Sequence, residues 1–301
     1  MRVKRVRLKK DRLLAGLLIL PSVVAIGIFV YGFIGWSVRV SLSKWQGLIP
    51  DYSWAGGSNY TALFHDPRFH IDVRNTLLFT ACFLSGAIVI GAMMAMLLDR
   101  KVRGESLFRS MYLFPMAISF IVTGVAWRWL MNPATGSRIS GLNLLFEKLH
   151  LDFLVNPWHT TQPPWGIAFI ALPAVWQLSG FMMALFLGGL RSVPDDLREA
   201  ARVDGASELQ IYRRVILPLL RPVALSAIII LGHMSLKIFD LIVAISGKDM
   251  RLDVPAIYMW TATFDANSYA RGAAIGILLL GGVAILVVPY LIYSLKSEAE
   301  V

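Results

Sequence analysis

Six side chains stand out because their chemistry could bind or move something, and because they lie inside long apolar runs. His233, Lys237 and Asp240 fall in one run; Trp176, Gln177 and Ser179 fall in another. On a continuous helix Lys237 and Asp240 share a face and can pair, with His233 one turn below Lys237. Ionisable groups at bilayer depth line a water path or face a protein interior, so the three could relay protons. The plainer alternative is a satisfied ion pair and a core histidine. Trp176 and Gln177 offer an aromatic plate and an amide, which suit a hydroxyl-rich ligand held between helices; a hydrogen-bond network that fixes helix packing is the other reading. Arg128, flanked by Trp127 and Trp129, reads as an interfacial anchor.

Other chemistry is missing. Cys82 is the single cysteine, which rules out an internal disulfide framework and a multi-cysteine metal site. There is no G-x-x-x-x-G-K-[S/T] phosphate cradle, no H-E-x-x-H metal helix and no G-x-S-x-G nucleophile elbow. No catalytic residue, metal or cofactor is therefore assigned, and an intramembrane hydrolase has no nucleophile and base to work with.

The elements that must position these groups follow from composition. The 301 residues are 56% hydrophobic and only 16% charged, where ordinary soluble chains carry roughly 25% charged residues. Mean hydropathy is +0.63. A crossing helix needs about 20 mostly apolar residues, and six segments supply them: 13–36, 76–98, 111–131, 166–190, 223–245 and 272–295. The expected fold is all-α, a polytopic membrane protein of six transmembrane helices. The membrane-spanning body covers 13–295, after a basic N-terminus at 1–12 and before a short tail at 296–301. With residues 1–12, 99–110, 191–221 and the tail inside, the inner segments hold 18 Lys and Arg against nine in the outer loops. Both termini are expected in the cytoplasm. The net charge of +10 is thus accounted for by membrane topology, and no nucleic-acid partner is assigned. Gly272-x-x-x-Gly276 could allow close helix packing.

The inner segment 191–221 carries the sharpest pattern. Pro194 suits a first helical position, Asp195 and Asp196 complement the positive end of a helix, and Gly205 can supply a left-handed stop. Ser207 with Gln210 makes a capping box for a second helix that ends near Pro218. The pattern is a helix, a glycine turn and a helix on the cytoplasmic face. It could be a well-capped connector or a docking element; a DNA-reading helix-turn-helix pinned between two spans could not enter a groove.

Glu199-Ala200-Ala201-x-x-x-Gly205, with Val215 and Leu217-Pro218 following, resembles the EAA loop of ATP-binding-cassette importer permeases. The family usually has Ile at the position of Val215. The resemblance covers nearly the whole chain and is nearest to permeases of the maltose and glycerol-3-phosphate type. It rests also on Gly56-Gly57-Ser58-Asn59-Tyr60, Asp66-Pro67-Arg68-Phe69, Asn75-Thr76, Phe108-Arg109, Pro115, Trp127-Arg128, Asn143-Leu144-Leu145, Trp176 and Phe239-Asp240. Gly247-Lys248-Asp249 stands where a Gly-Gly-Pro is common.

What the resemblance implies is one half of an importer channel in the inner or plasma membrane, surrounded by membrane lipid. Its partners would be a second permease subunit, an ATPase dimer that uses the ATP and Mg, and an extracytoplasmic substrate-binding protein. Glu199, Ala200, Ala201, Asp204 and Gly205 would couple to the ATPase, and the cargo would be a sugar or a sugar-like polyol derivative. Trp176, Gln177, Ser179, His233, Lys237 and Asp240 are the substrate-pathway candidates. The rival is a proton-coupled secondary carrier built on Lys237, Asp240 and His233.

Overall fold

The computed structural model describes residues 16–99 and 103–299, with side chains as far as Ile292. The basic segment 1–12 lies outside the described residues, as do the side chains of the tail. Four continuous helices are long and apolar enough to cross a bilayer: Gly16–Ser41, Pro67–Asp99, Gly166–Ser192 and Tyr269–Ile292. Two bent pairs, Glu105–Ala117 with Phe120–Leu130 and Glu208–Leu219 with Arg221–Leu236, raise the number to six when each pair is one span. Among the described residues no strand forms beyond a single bridge between Ser43 and Trp54.

The chain divides into two compact units, Met1–His65 with Met259–Leu278, and Asp66–Tyr258 with Leu279–Val301. In the first, Trp45 stacks on Tyr269 with ring centroids 4.7 Å apart. Asn59 donates to the carbonyls of Ser41 and Ser43 at 2.8 and 2.9 Å, so its amide serves to tie the segment after the first span. Gly272 and Gly276 seat against Thr263 and Met259, where a β-carbon would crowd both side chains.

The second unit holds the core, built on the contact between Pro67–Asp99 and Gly166–Ser192. Phe79, Phe83, Ala87, Gly91 and Ala95 recur every four residues and are all buried, one continuous stripe on a helix. At Gly91 the backbone of Met182–Met183 comes so close that a side chain would overlap it, and Gly86 seats against the Val175 side chain. Lipid tails are as apolar as leucine, so helices in a bilayer associate through close packing at such small residues. Thr80 adds a hydrogen bond to Ser235 at 2.9 Å, which links this pair to Arg221–Leu236.

Two of the expected spans are not single helices. The stretch 111–131 changes direction by 98° between Glu105–Ala117 and Phe120–Leu130. Pro115 closes the first half as a turn of 3₁₀ helix, Ile118 is extended, and the Ser119 side chain accepts from the Val122 amide at 3.3 Å to start the second half. The stretch 223–245 ends its first helix at Leu236 and resumes at Asp240–Ser246. The amides of Lys237 and Ile238 bond three residues back, to Met234 and Ser235, which tightens the last turn and turns the chain out of the helix. Asp240 then sits in the first turn of the new helix, where its charge meets the positive end of the dipole. Lys237 and Asp240 therefore do not share a helical face, and no ion pair joins them among the described residues. The second halves of the two broken runs pack together, with Gly124 seated on Ala244 and on the Leu241 carbonyl.

On one side of this unit a polar clamp joins the start of Pro67–Asp99 to the segment 249–258. Arg68 holds Asp253 through Nε and Nη2 at 2.7 and 2.6 Å, and its guanidinium lies 4.2 Å from the centre of the Tyr258 ring. Asn75 donates to the carbonyls of Arg251 and Asp253. Burial pushes the Asp253 carboxyl above its ordinary value, and Arg68 opposes that rise. These bonds give a structural reason for the Asp66-to-Phe69 and Asn75-Thr76 pieces.

Candidate functional site

The turn at 195–211 follows from its local sequence. A helix runs Asp195–Val203 with Asp195 and Asp196 in its first turn and Pro194 as the residue before it, one position earlier than expected. Gly205 has φ +79°, a left-handed conformation that a β-carbon disfavours. The Ala206 amide bonds to the Ala201 carbonyl and the Gly205 amide to the Arg202 carbonyl, both at 3.0 Å. That pair of bonds is the Schellman ending of a helix. Ser207 and Gln210 form the expected capping box, each side chain meeting the other's backbone amide, and Glu208–Ile211 starts there.

Glu199, Ala200, Asp204 and Gly205 are exposed on this turn, while Ala201 is half-buried against the core. Leu197, Val203 and Leu209 are exposed as well, so the surface is apolar and acidic in alternation. Underneath, Arg198 joins the turn to two spans. Its Nη1 donates to Asp99 at 2.7 Å and its Nη2 to the Leu190 carbonyl at 3.0 Å. Tyr212 donates to the same Asp99 oxygen at 3.0 Å. The hydrogen bond to Asp99 holds the Arg198 guanidinium above its ordinary value. Arg191 pairs with Glu105 at 2.6 Å, so the start of the bent pair Glu105–Ala117 with Phe120–Leu130 is tied in too. Sequence reasoning missed Asp99 and Arg198. A charge at the last position of an apolar run was the available signal for the first; nothing in the spacing marked its partner.

A second feature lies in the same unit. A half-open cavity of about 720 Å³ is walled by Trp127, Trp158, Trp176, Phe108, Phe146 and Tyr112, with Met111, Val175 and Ser179. The Trp127 and Trp176 rings are 6.0 Å apart and tilted by 57°. Trp158 is set by Asn143, whose Oδ1 accepts from its indole N–H at 2.9 Å and whose amide group holds Asn132 and Asn156. Trp176 and Ser179 thus line one cavity. Gln177 is buried on another face of the helix and donates to the Ile118 carbonyl at 2.5 Å, so it braces the break in the third run. His233 is half-buried, and Lys237 and Asp240 are exposed at the break after Leu236; none of the three lines this cavity.

Comparisons with known proteins agree with this architecture. A probable ABC transporter permease protein of Pyrococcus horikoshii, PH1215, is 41% identical, covering 94% of this chain and 96% of that protein. The xylose/arabinose import permease protein XacH of Haloferax volcanii is 34% identical over 91% of this chain and 86% of its own length. Among solved structures, a bacterial ABC transporter that imports the acidic polysaccharide alginate has a chain that superposes with a TM-score of 0.76, covering 95% of this chain and 96% of that chain at 22% identity; at that identity the likeness speaks for the fold alone. Residues 87–297 match the family described as binding-protein-dependent transport system inner membrane component, and the chain belongs to that family.

Proposed function

We propose that this chain is one permease subunit of an ATP-driven sugar importer. A second permease completes the channel, an ATPase pair docks on Asp195–Val203 and the Gly205 turn, and an external binding protein delivers the cargo. The observation that carries this reading is the exposed turn closed by a Schellman ending and a capping box and bonded through Arg198 to the ends of two spans. A displacement of that turn moves spans rather than a loop. Relatives named for xylose/arabinose, trehalose/maltose and sulfoquinovosyl glycerol transport support the sugar class. The turn faces the cytoplasm, with both termini on the same side.

The test is substrate-stimulated ATP hydrolysis by the complex reconstituted with its partners. Glu199→Lys reverses an exposed charge, and Gly205→Val strains the left-handed turn. Both variants reach the membrane and lose most of the stimulation. Near-normal stimulation in both overturns the docking assignment, and transport stopped by a protonophore but unaffected by vanadate points to the proton-coupled carrier instead.

A further inference from the structure

Below the core, where Pro67–Asp99 ends and the segment after the Gly205 turn begins, two hollows share one residue. The first, about 330 Å³, is walled by Met93, Met96, Leu97, Leu209 and Tyr212, with Glu208 at its edge. The second, about 450 Å³, is formed by Leu209, Gln210, Arg213 and Arg214. Their chemistries are opposite. Met93 and Leu97 are 55% exposed on a helix long and apolar enough to span a bilayer, so the first hollow opens toward acyl chains. Glu208 has its carboxylate on Arg202 at 2.8 Å, which leaves little free negative charge at that edge. In the second, Arg213 and Arg214 are both exposed, and neither holds an ion pair among the described residues.

The backbone between the two is shaped for an interface. Glu208–Leu219 meets Arg221–Leu236 at 64°, so it does not continue the direction of the span. Its middle, Tyr212–Ile216, is π-helical, a wider turn found often at functional sites. Leu209 and Tyr212 face the apolar hollow while the adjacent arginines face out. We propose that the two hollows together bind one anionic phospholipid from the leaflet on the side of the Gly205 turn. Its phosphate lies against Arg213 and Arg214, and one acyl chain lies along Met93, Met96, Leu97 and Leu209. Basic pockets beside spans at this level recognise anionic headgroups, and a guanidinium pair suits a phosphate's several oxygens. The inference does not depend on which cargo the importer carries.

The experiment is native mass spectrometry of the complete transporter in mild detergent, titrated separately with phosphatidylglycerol and phosphatidylcholine. The native complex retains phosphatidylglycerol in preference, and the double variant Arg213→Gln/Arg214→Gln loses that preference by about tenfold. Arg213→Lys/Arg214→Lys keeps most of it. Leu209→Asn, at the wall the two hollows share, weakens retention of both lipids, and soluble glycerol phosphate does not displace the bound lipid. An unchanged preference in the glutamine variant overturns the proposal. So does release of the ATPase pair with lipid retention intact, because the arginines then belong to a protein contact. Should the glutamine variant yield no complex, unchanged lipid retention in Leu209→Asn, or displacement by glycerol phosphate, is enough to overturn it.

Discussion

Replacing Asp99 with alanine strands the Arg198 guanidinium in a site where both side chains are largely buried. Removing one partner of such a pair costs about 3 kcal/mol, because the remaining charge has lost its counterion without regaining water. Thermal unfolding of the purified complex should fall accordingly, whereas Arg202→Ala, which breaks an exposed pair with Glu208, should change it little. The cavity gives a second pair of contrasted outcomes. Trp176→Ala removes an aromatic wall, and transport at saturating binding protein should drop severalfold with stability near normal. Gln177→Ala should instead lower the unfolding temperature, by an amount corresponding to about 1 kcal/mol, since the partly buried Ile118 carbonyl loses its donor. Equal losses of stability and transport in both variants would make Trp176 a packing residue too. From the sequence, Trp176 and Gln177 could not be told apart: adjacent residues on a helix point about 100° apart, and which one meets the cavity depends on the neighbouring helix.

At the scale of elements, the described residues of each apolar run are helical apart from the breaks in two of them, because a backbone that cannot bond to water must bond to itself. The breaks inside two of the runs were not read. Hydropathy averages over residue type and carries no direction, so a run with a sharp bend scores like a straight one. Pro115 followed by Ser119 was a usable signal for the first break, a 3₁₀ turn and then a cap. The second break, at 237–239, holds no proline or glycine, and only Asp240 hints at a new N-terminus. The stripe Phe79, Phe83, Ala87, Gly91, Ala95 marks the principal packing surface, but in a run whose intervening residues are mostly apolar too its spacing did not single it out. Gly91 in that stripe, and Gly180 where Gly166–Ser192 meets Glu105–Leu113, should tolerate no side chain: Gly91→Leu would enter Met182, and Gly180→Val would enter the Tyr112 carbonyl. Overpacking costs about 1–3 kcal/mol even where neighbours can yield, and here the obstacle includes backbone. Both variants should fail to accumulate in the membrane. Gly188→Ala, with nothing within 4 Å, should accumulate normally, and its failure would show that helix glycines matter here for some reason other than close approach.

For the molecule as a whole, orientation is a prediction from charge placement. With Cys82 replaced, a cysteine at Ser207 should react with an impermeant maleimide only when the cytoplasmic face is open, and one at Ser268 only from outside. The reverse pattern at either site overturns the topology. Composition alone made the chain a membrane protein, and the punctuation at Pro194, Gly205 and Ser207 with Gln210 located the turn; what remained unreadable was how the turn is fastened, since Asp99 and Arg198 are far apart in sequence and meet only in the folded chain. That fastening has a mechanical corollary. Arg198 bonds to one side chain and one main-chain carbonyl near the ends of different helices, so the turn is stiffly held. The break at Ile118 is braced by Gln177, whereas the 237–239 segment interrupts the helical ladder and is the compliant joint. In a linkage with stiff arms and a soft joint, a stroke is spent in the joint. That interruption is where the protein should bend.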